Sequence, residues 1–168
     1  MRYYPAAIAL SLAAALTASA GFSAPTQPAD PRAAALHVQG RADMAAGRVD
    51  PAIDAYEAAL ALQPGSVPVL LDLAEATRRQ GMQGKALHYY REALKSEPQN
   101  LQAISGEGAA LVEKGAVEKA RRNLARLKSL CGDACEPTRQ LAAALAKGPA
   151  PRVVTAQQVK PVPVISDN

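Results

Sequence analysis

Between Val67 and Pro98 the apolar positions fall into two runs of helical spacing with glycines between them. Leu70, Leu71, Leu73, Ala74 and Thr77 recur at spacings of one, three and four, as on the buried face of a helix. Gly81 and Gly84 interrupt the pattern, because glycine tolerates the backbone angles that end a helix. The second run is Ala86, Leu87, Tyr90, Ala93 and Leu94. Pro98 stops it, having no N–H for the helix and restricting the residue before it. The pattern predicts a helix–turn–helix unit, and the unit recurs 34 residues upstream. Gly47, Ala52, Tyr56, Ala59, Leu60 and Pro64 align with Gly81, Ala86, Tyr90, Ala93, Leu94 and Pro98. Downstream, Gly115, Ala120 and Leu124 keep the period.

A 34-residue helix–turn–helix repeat with these residues resembles the tetratricopeptide repeat family. The resemblance covers residues 33–132. It implies an all-α, right-handed α-solenoid of three repeats, 33–66, 67–100 and 101–132. Helices in such a pair approach closely, which calls for small residues. Gly40, Ala74 and Gly108 on the first helices are expected to face Ala52, Ala86 and Ala120 on the second. Tyr56 and Tyr90 are expected to fill the wider gap toward the next repeat. Asp50 is the expected N-cap of the first repeat's second helix, with Pro51 at its first helical position. Ser66 and Asn100 are the expected N-caps that open the second and third repeats.

Departures from the period mark the ends of the stack. In the first repeat, Asp43 and Gln39 stand where the family usually places bulky or apolar residues, so that face is expected to be solvated or covered by something else. In the third, Leu127 replaces the small residue of Ala59 and Ala93, and Gly132 replaces Pro64 and Pro98. No further standard repeat is expected. Instead Glu136-Pro137 opens a short pattern of Leu141, Ala142, Leu145 and Ala146, ended by Gly148-Pro149. It predicts a capping helix within 133–148, closing the apolar face that an open solenoid end exposes. Residues 149–168 carry four prolines and no helical period, and are expected to form a disordered tail.

Composition agrees with close-packed helices: aromatics are only 4% of the 168 residues. The net charge of +4 is mild and interspersed, which speaks against nucleic acid as a partner. At the N-terminus, Arg2 precedes an apolar run from Ala6 to Leu16, and Ala18-Ser19-Ala20 forms a small–x–small site. Residues 1–20 therefore predict a secretory signal peptide cleaved near Ala20, with 21–32 a flexible leader. The run is shorter than the roughly 18–20 residues a membrane span needs. The mature chain is expected to be exported, to a bacterial periplasm, with no membrane span of its own.

Cys131 and Cys135 sit at the junction between the last repeat and the cap. In an oxidising compartment the expectation is a structural disulfide that pins the cap. The alternative is a thiol-redox protein that uses this pair. The C-x-x-x-C spacing and the lack of a thioredoxin-like βαβ pattern argue against that alternative. His37 and His88 are on separate helices and supply no metal set with two cysteines. No nucleophile elbow, phosphate-binding loop or paired-carboxylate arrangement stands out, so no catalytic residue, metal or cofactor is expected. Arg78-Arg79 is expected to be a solvated helix end favoured by the dipole, and Arg121-Arg122 to point outward.

The first helix of each pair lines the concave face of such a stack. The repeat alignment assigns to that groove His37, Arg41, Leu71, Glu75, Arg78, Gln102, Ser105, Ala109 and Val112. The Lys, Asn and Arg pattern with which some tetratricopeptide domains grip a C-terminal carboxylate is missing. The expectation is a non-enzymatic interaction module of the cell envelope that binds a protein or peptide partner in the groove.

Overall fold

The computed structural model describes residues 30–149, and seven helices make up the regular structure of that span. They are α1 (Pro31–Ala45), α2 (Val49–Leu62), α3 (Val67–Arg79), α4 (Gln83–Ser96), α5 (Leu101–Glu113), α6 (Val117–Cys131) and α7 (Glu136–Lys147). The signal-peptide, leader and tail expectations fall largely outside the described residues. No helix among the described residues is long and apolar enough to cross a membrane.

The three turns within the repeats are built alike. Gly47, Gly81 and Gly115 have φ of 74°, 77° and 83°, in the left-handed region. The N–H of each glycine donates to a carbonyl three residues back: Met44, Arg78 and Val112. The N–H of the following residue reaches five back, to Asp43, Thr77 and Leu111. These two bonds are the Schellman ending, which satisfies the last carbonyls of a helix where only glycine turns the chain cheaply. The aligned glycines seen in the sequence are these turns.

The N-termini differ more. Asp30 Oδ1 accepts from the Arg32 N–H at 2.8 Å, and Asn100 Oδ1 accepts from the Ala103 N–H at 2.9 Å. Ser66 stands at the N-cap of α3 without a side-chain bond. Asp50 is not a cap: α2 begins at Val49 after Arg48, and Asp50 lies in its first turn. There it accepts from the Gln80 carboxamide at the end of α3, tying the first repeat to the second. The Schellman turn has already fixed the chain's entry into α2, which leaves the cap position to Arg48.

Packing follows the repeat. Each first helix packs on its own second helix and on the second helix before it. First helices also touch the next first helix, α1 to α3, α3 to α5 and α5 to α7, whereas the second helices stand further apart, α2 and α4 meeting through the Tyr89 hydroxyl, which donates to Glu57 at 3.4 Å. The first helices therefore form the inner layer of an all-α solenoid and the second helices the outer one. α7 packs on both α5 and α6, so it occupies the place of a fourth first helix. Leu127, the outsized residue of the third repeat, is fully buried, as is Leu141 of α7. The two belong to one apolar cluster that runs from Val67 through Ile104 to the cap.

The glycines of the first helices leave room for larger side chains. Ala52, Ala86 and Ala120 are all buried. A methyl group on Gly40 would run first into the ring of Tyr56, and one on Gly108 into Leu141. Tyr56 packs on Gly40 of its own first helix and shares a buried cluster with Val69 and Leu73 of the next repeat, and Tyr90 reaches forward to Gly106. Asp43 is neither solvated nor bare. It is 6% exposed, and Arg48 Nε donates to its Oδ1 at 3.0 Å.

Candidate functional site

The inner layer encloses a groove of about 570 Å³. α3 contributes Leu71, Asp72, Glu75, Arg78 and Arg79; α4 contributes Tyr90; α5 contributes Gln102, Ser105, Gly106, Ala109 and Glu113. α7 adds Gln140 and Ala144, so the capping helix is a wall of the groove as well as a lid on the core. A second hollow of about 240 Å³ lies toward α1 and shares Asp72, Glu75 and Arg79 with the first. It adds Arg41, Met44, Ala45 and Tyr56. The two make one concave face across α1, α3, α5 and α7.

An ionic network organises the middle of that face. Arg78 sits in the last turn of α3, where the helix dipole favours a cation. It is not solvated, however. Its Nε and Nη2 each donate to Glu75 at 2.9 Å, and its Nη1 pairs with Glu113 of α5. Arg79 Nε donates to the same Glu75 at 2.8 Å. Burial opposes the charge on Arg78, but bonding to Glu75 and the charges of Glu75 and Glu113 outweigh it, so its pKa is raised. Burial likewise opposes the Glu75 carboxylate, and the two arginines outweigh it, holding its pKa below the ordinary value. Both groups stay charged and fixed in place.

Tyr90 lies against this network, its hydroxyl 3.4 Å from Glu75 Oε2. Burial first, and then the Glu75 charge, raise its pKa. Tyr56 is pushed up to about 12, by burial and then by Asp72. Neither phenol ionises near neutral pH. Glu113 Oε2 is buried with no hydrogen-bond partner among the described residues. The groove's cations are thus internally matched: Arg78 and Arg79 to Glu75, and Arg41 more loosely to Asp72 at 4.0 Å. The groups left open are the Gln102 carboxamide and the carboxamide oxygen of Gln140, whose nitrogen donates to Glu136 at 3.1 Å, beside Leu71, Ala109 and Ala144.

Of the nine residues assigned to the groove from sequence, Leu71, Glu75, Arg78, Gln102, Ser105 and Ala109 come together in the larger hollow, and Arg41 lines the smaller. Val112 does not join them. It is 1% exposed and belongs to the core, on the side of α5 that it shares with Gly108, one turn earlier, and that Leu141 of α7 covers. His37 lines neither hollow. Its Nε2 bonds Asp72 at 2.7 Å and its ring meets Tyr56 edge-on, so it bridges α1 and α3. Ser105 reaches the lining, but its hydroxyl donates to the Pro137 carbonyl at 2.9 Å and anchors α7. The lining also includes Asp72, Arg79, Tyr90, Gly106, Glu113, Gln140 and Ala144, none of them assigned to the groove from sequence. One more 34-residue step from Asp72 and Gly106 lands on Gln140, so the period itself held that signal.

Cys131 ends α6, and Cys135 precedes α7. Their Cα atoms are 5.9 Å apart, and both sulfurs approach the buried Thr138 hydroxyl, Cys135 Sγ at 3.0 Å. Among the described residues, no three His, Cys, Asp or Glu side chains gather closely enough to hold a metal ion.

No family model matches the sequence, and no curated protein matches it either. Solved structures do. The fold is similar to the first TPR of Spaghetti (RPAP3), solved bound to the HSP90 peptide SRMEEVD. That likeness has 24% identity, covers 69% of this chain and 97% of that one, and gives a TM-score of 0.60. The Sgt2 TPR domain from Aspergillus fumigatus matches at 25% identity over 76% of this chain and 91% of that one, with a TM-score of 0.64. The Arabidopsis OM64 TPR domain matches at 15% identity over 70% and 96%, also at 0.64.

Proposed function

The chain carries the tetratricopeptide-repeat fold, and from that premise we propose that it is a non-enzymatic interaction module that holds a peptide segment of a protein partner in its concave groove. The observation that carries this is the groove itself: about 570 Å³, walled by four helices, with its ionic side chains already paired. A preorganised surface leaves most of the ordering cost to the partner. The Spaghetti domain with its bound peptide supports the mode of binding. It does not carry over the ligand. The open groups here are the Gln102 carboxamide, the Gln140 carboxamide oxygen and small apolar side chains, with the arginines already engaged, and these suit an extended segment of low charge.

The cell envelope is the compartment this proposal assigns to the module. Arg2, the apolar run Ala6–Leu16 and Ala18-Ser19-Ala20 support export, and the adjacency of Cys131 and Cys135 supports an oxidising destination where they pair.

The groove is tested with the full chain on an array of immobilised extended peptides. Ala109→Arg places a long cation in the lining, while Arg122→Glu alters the outer layer. Binding that Ala109→Arg removes and Arg122→Glu keeps is the expected result. Binding indifferent to Ala109→Arg overturns the groove as the site.

A further inference from the structure

The groove opens beside the helix from which the rest of the chain continues. α7 contributes Gln140 and Ala144 to the lining and ends at Lys147, where Gly148 turns the backbone at φ 75°. Residues 150–168 follow. They read PRVVTAQQVKPVPVISDN after Ala150. Fully extended, such a segment reaches about 60 Å. Crossing the inner layer from α7 to α1, at helix spacings of about 8–10 Å, takes roughly 30 Å.

The chemistry of the two matches. Pro161 and Pro163 alternate with Val162 and Val164, and proline holds φ in the extended range. In an extended form this sequence would offer small apolar side chains to Leu71, Ala109 and Ala144, and backbone N–H groups to the carboxamide oxygens of Gln102 and Gln140. Its charges, Arg152 and Lys160 against Asp167, lean positive. Glu113, in the same lining as Gln140, has a buried oxygen without a donor among the described residues. Tethering adds a concentration term: a short linker holds its cargo at roughly millimolar local concentration.

We infer that residues 150–168 occupy the groove of their own chain as an extended segment and compete there with any peptide supplied from outside. This rests on the groove being a peptide site. It makes the tail a built-in competitor, displaced by partners that outbid a tethered ligand of modest affinity.

The probe is a fluorescein-labelled peptide of residues 150–168, titrated against full-length chains and followed by anisotropy. One chain is unaltered. A second carries Val159→Asp, Val162→Asp and Val164→Asp in its own tail. A third adds Ala109→Arg to these, and a fourth adds Gln102→Arg instead, at an exposed position that leaves the core alone. Circular dichroism confirms the helical content of each. The tail-altered chain is expected to bind the probe at least tenfold more tightly than the unaltered chain, and either groove substitution to abolish the gain. Equal affinity for the first two chains, or no binding to the second, overturns the inference. If the second chain still binds array peptides in a manner sensitive to Ala109→Arg but ignores the probe, tail occupancy falls and the groove stands. If it binds neither, both fall.

Discussion

The ring of Tyr90 lies where a side chain on Gly106 would stand, and the two residues belong to different repeats. A methyl group added at Gly106 would come well inside 3.0 Å of Cε1, Cζ and the hydroxyl oxygen of Tyr90. Tyr90 is 3% exposed and has little room to yield. Its phenol tip is also the part that faces Glu75 in the groove.

Gly106→Ala is therefore expected to destabilise the chain despite the better helix propensity of alanine. Overpacking a fixed neighbour costs about 1–3 kcal/mol, and replacing a helical glycine returns about 1 kcal/mol. The net loss is about 1 kcal/mol, read as a lower urea midpoint. Gly84→Ala is the control. Nothing lies within 4 Å of a methyl group there, so the same exchange in α4 is expected to stabilise by about 0.5 kcal/mol. A stabilised Gly106→Ala chain would mean that Tyr90 moves freely.

Arg78→Met removes the group that joins Glu75 to Glu113. Two carboxylates are left in a half-buried site, and a destabilisation of about 1–3 kcal/mol is expected from the lost charged bonds. The pH dependence gives a sharper check. Glu75 has a folded-state pKa below its ordinary 4.5, so near that pH the unfolded chain binds more protons than the folded one. Its contribution is present above about pH 4.5 and is lost as pH falls through the folded value. Urea midpoints of the unaltered chain should drop on acidification across that window. Those of Arg78→Met should drop less, or rise as the two carboxylates are neutralised.

The turns and the outer faces were legible because both repeat. Gly47, Gly81 and Gly115 share one hydrogen-bonded ending, and only glycine supplies it at low cost. The groove was half legible. Its columns follow from the period, but the state of each side chain depends on partners 35 positions away, such as His37 with Asp72 or Arg78 with Glu113. A helical pattern read within one repeat says nothing of those bridges. Val112 was misassigned for a related reason: α7 buries one side of α5, and the pattern of α5 is the same whether α7 is there or not.

Asp43, buried, and Arg48, largely exposed, make a second ion pair at the first turn. Asp43 shares its column with Thr77 and Leu111. Thr77 satisfies its own hydroxyl with the carbonyls of Leu73 and Ala74, each at 2.9 Å. Asp43 needs Arg48 instead. Arg48→Ala is expected to lower the melting temperature by several degrees, since it strands a buried carboxylate and about 1–3 kcal/mol goes with it. Asp43→Leu with Arg48→Ala is expected to recover most of the loss, because an apolar residue replaces a charge that no longer has a partner. Failure of the double variant to recover would show that the carboxylate serves more than its arginine.

Leu141 couples the stability of the cap to the shape of the groove. It is fully buried over Gly108, where the missing side chain makes room for its two methyl groups. α7 has few other anchors: the Ser105 hydroxyl on the Pro137 carbonyl, and the sulfurs beside Thr138. Leu141→Ala empties the space above Gly108 and is expected to cost about 2–5 kcal/mol. The loss should fall unevenly. Hydrogen exchange is expected to quicken in α7 and along the α5 and α6 faces that it covers, and to stay slow in α3 and α4, whose core around Leu87 and Tyr90 is closed without it. Gln140 and Ala144 leave the groove when α7 frays, so array peptides should weaken in the same variant. Gly108→Ala approaches the same contact from the other side. Its methyl group would press on the Leu141 side chain, and a leucine can shift where backbone cannot, so a milder loss confined to α7 is expected. Uniform exchange across all seven helices in Leu141→Ala would mean that the cap and the repeats unfold as one unit.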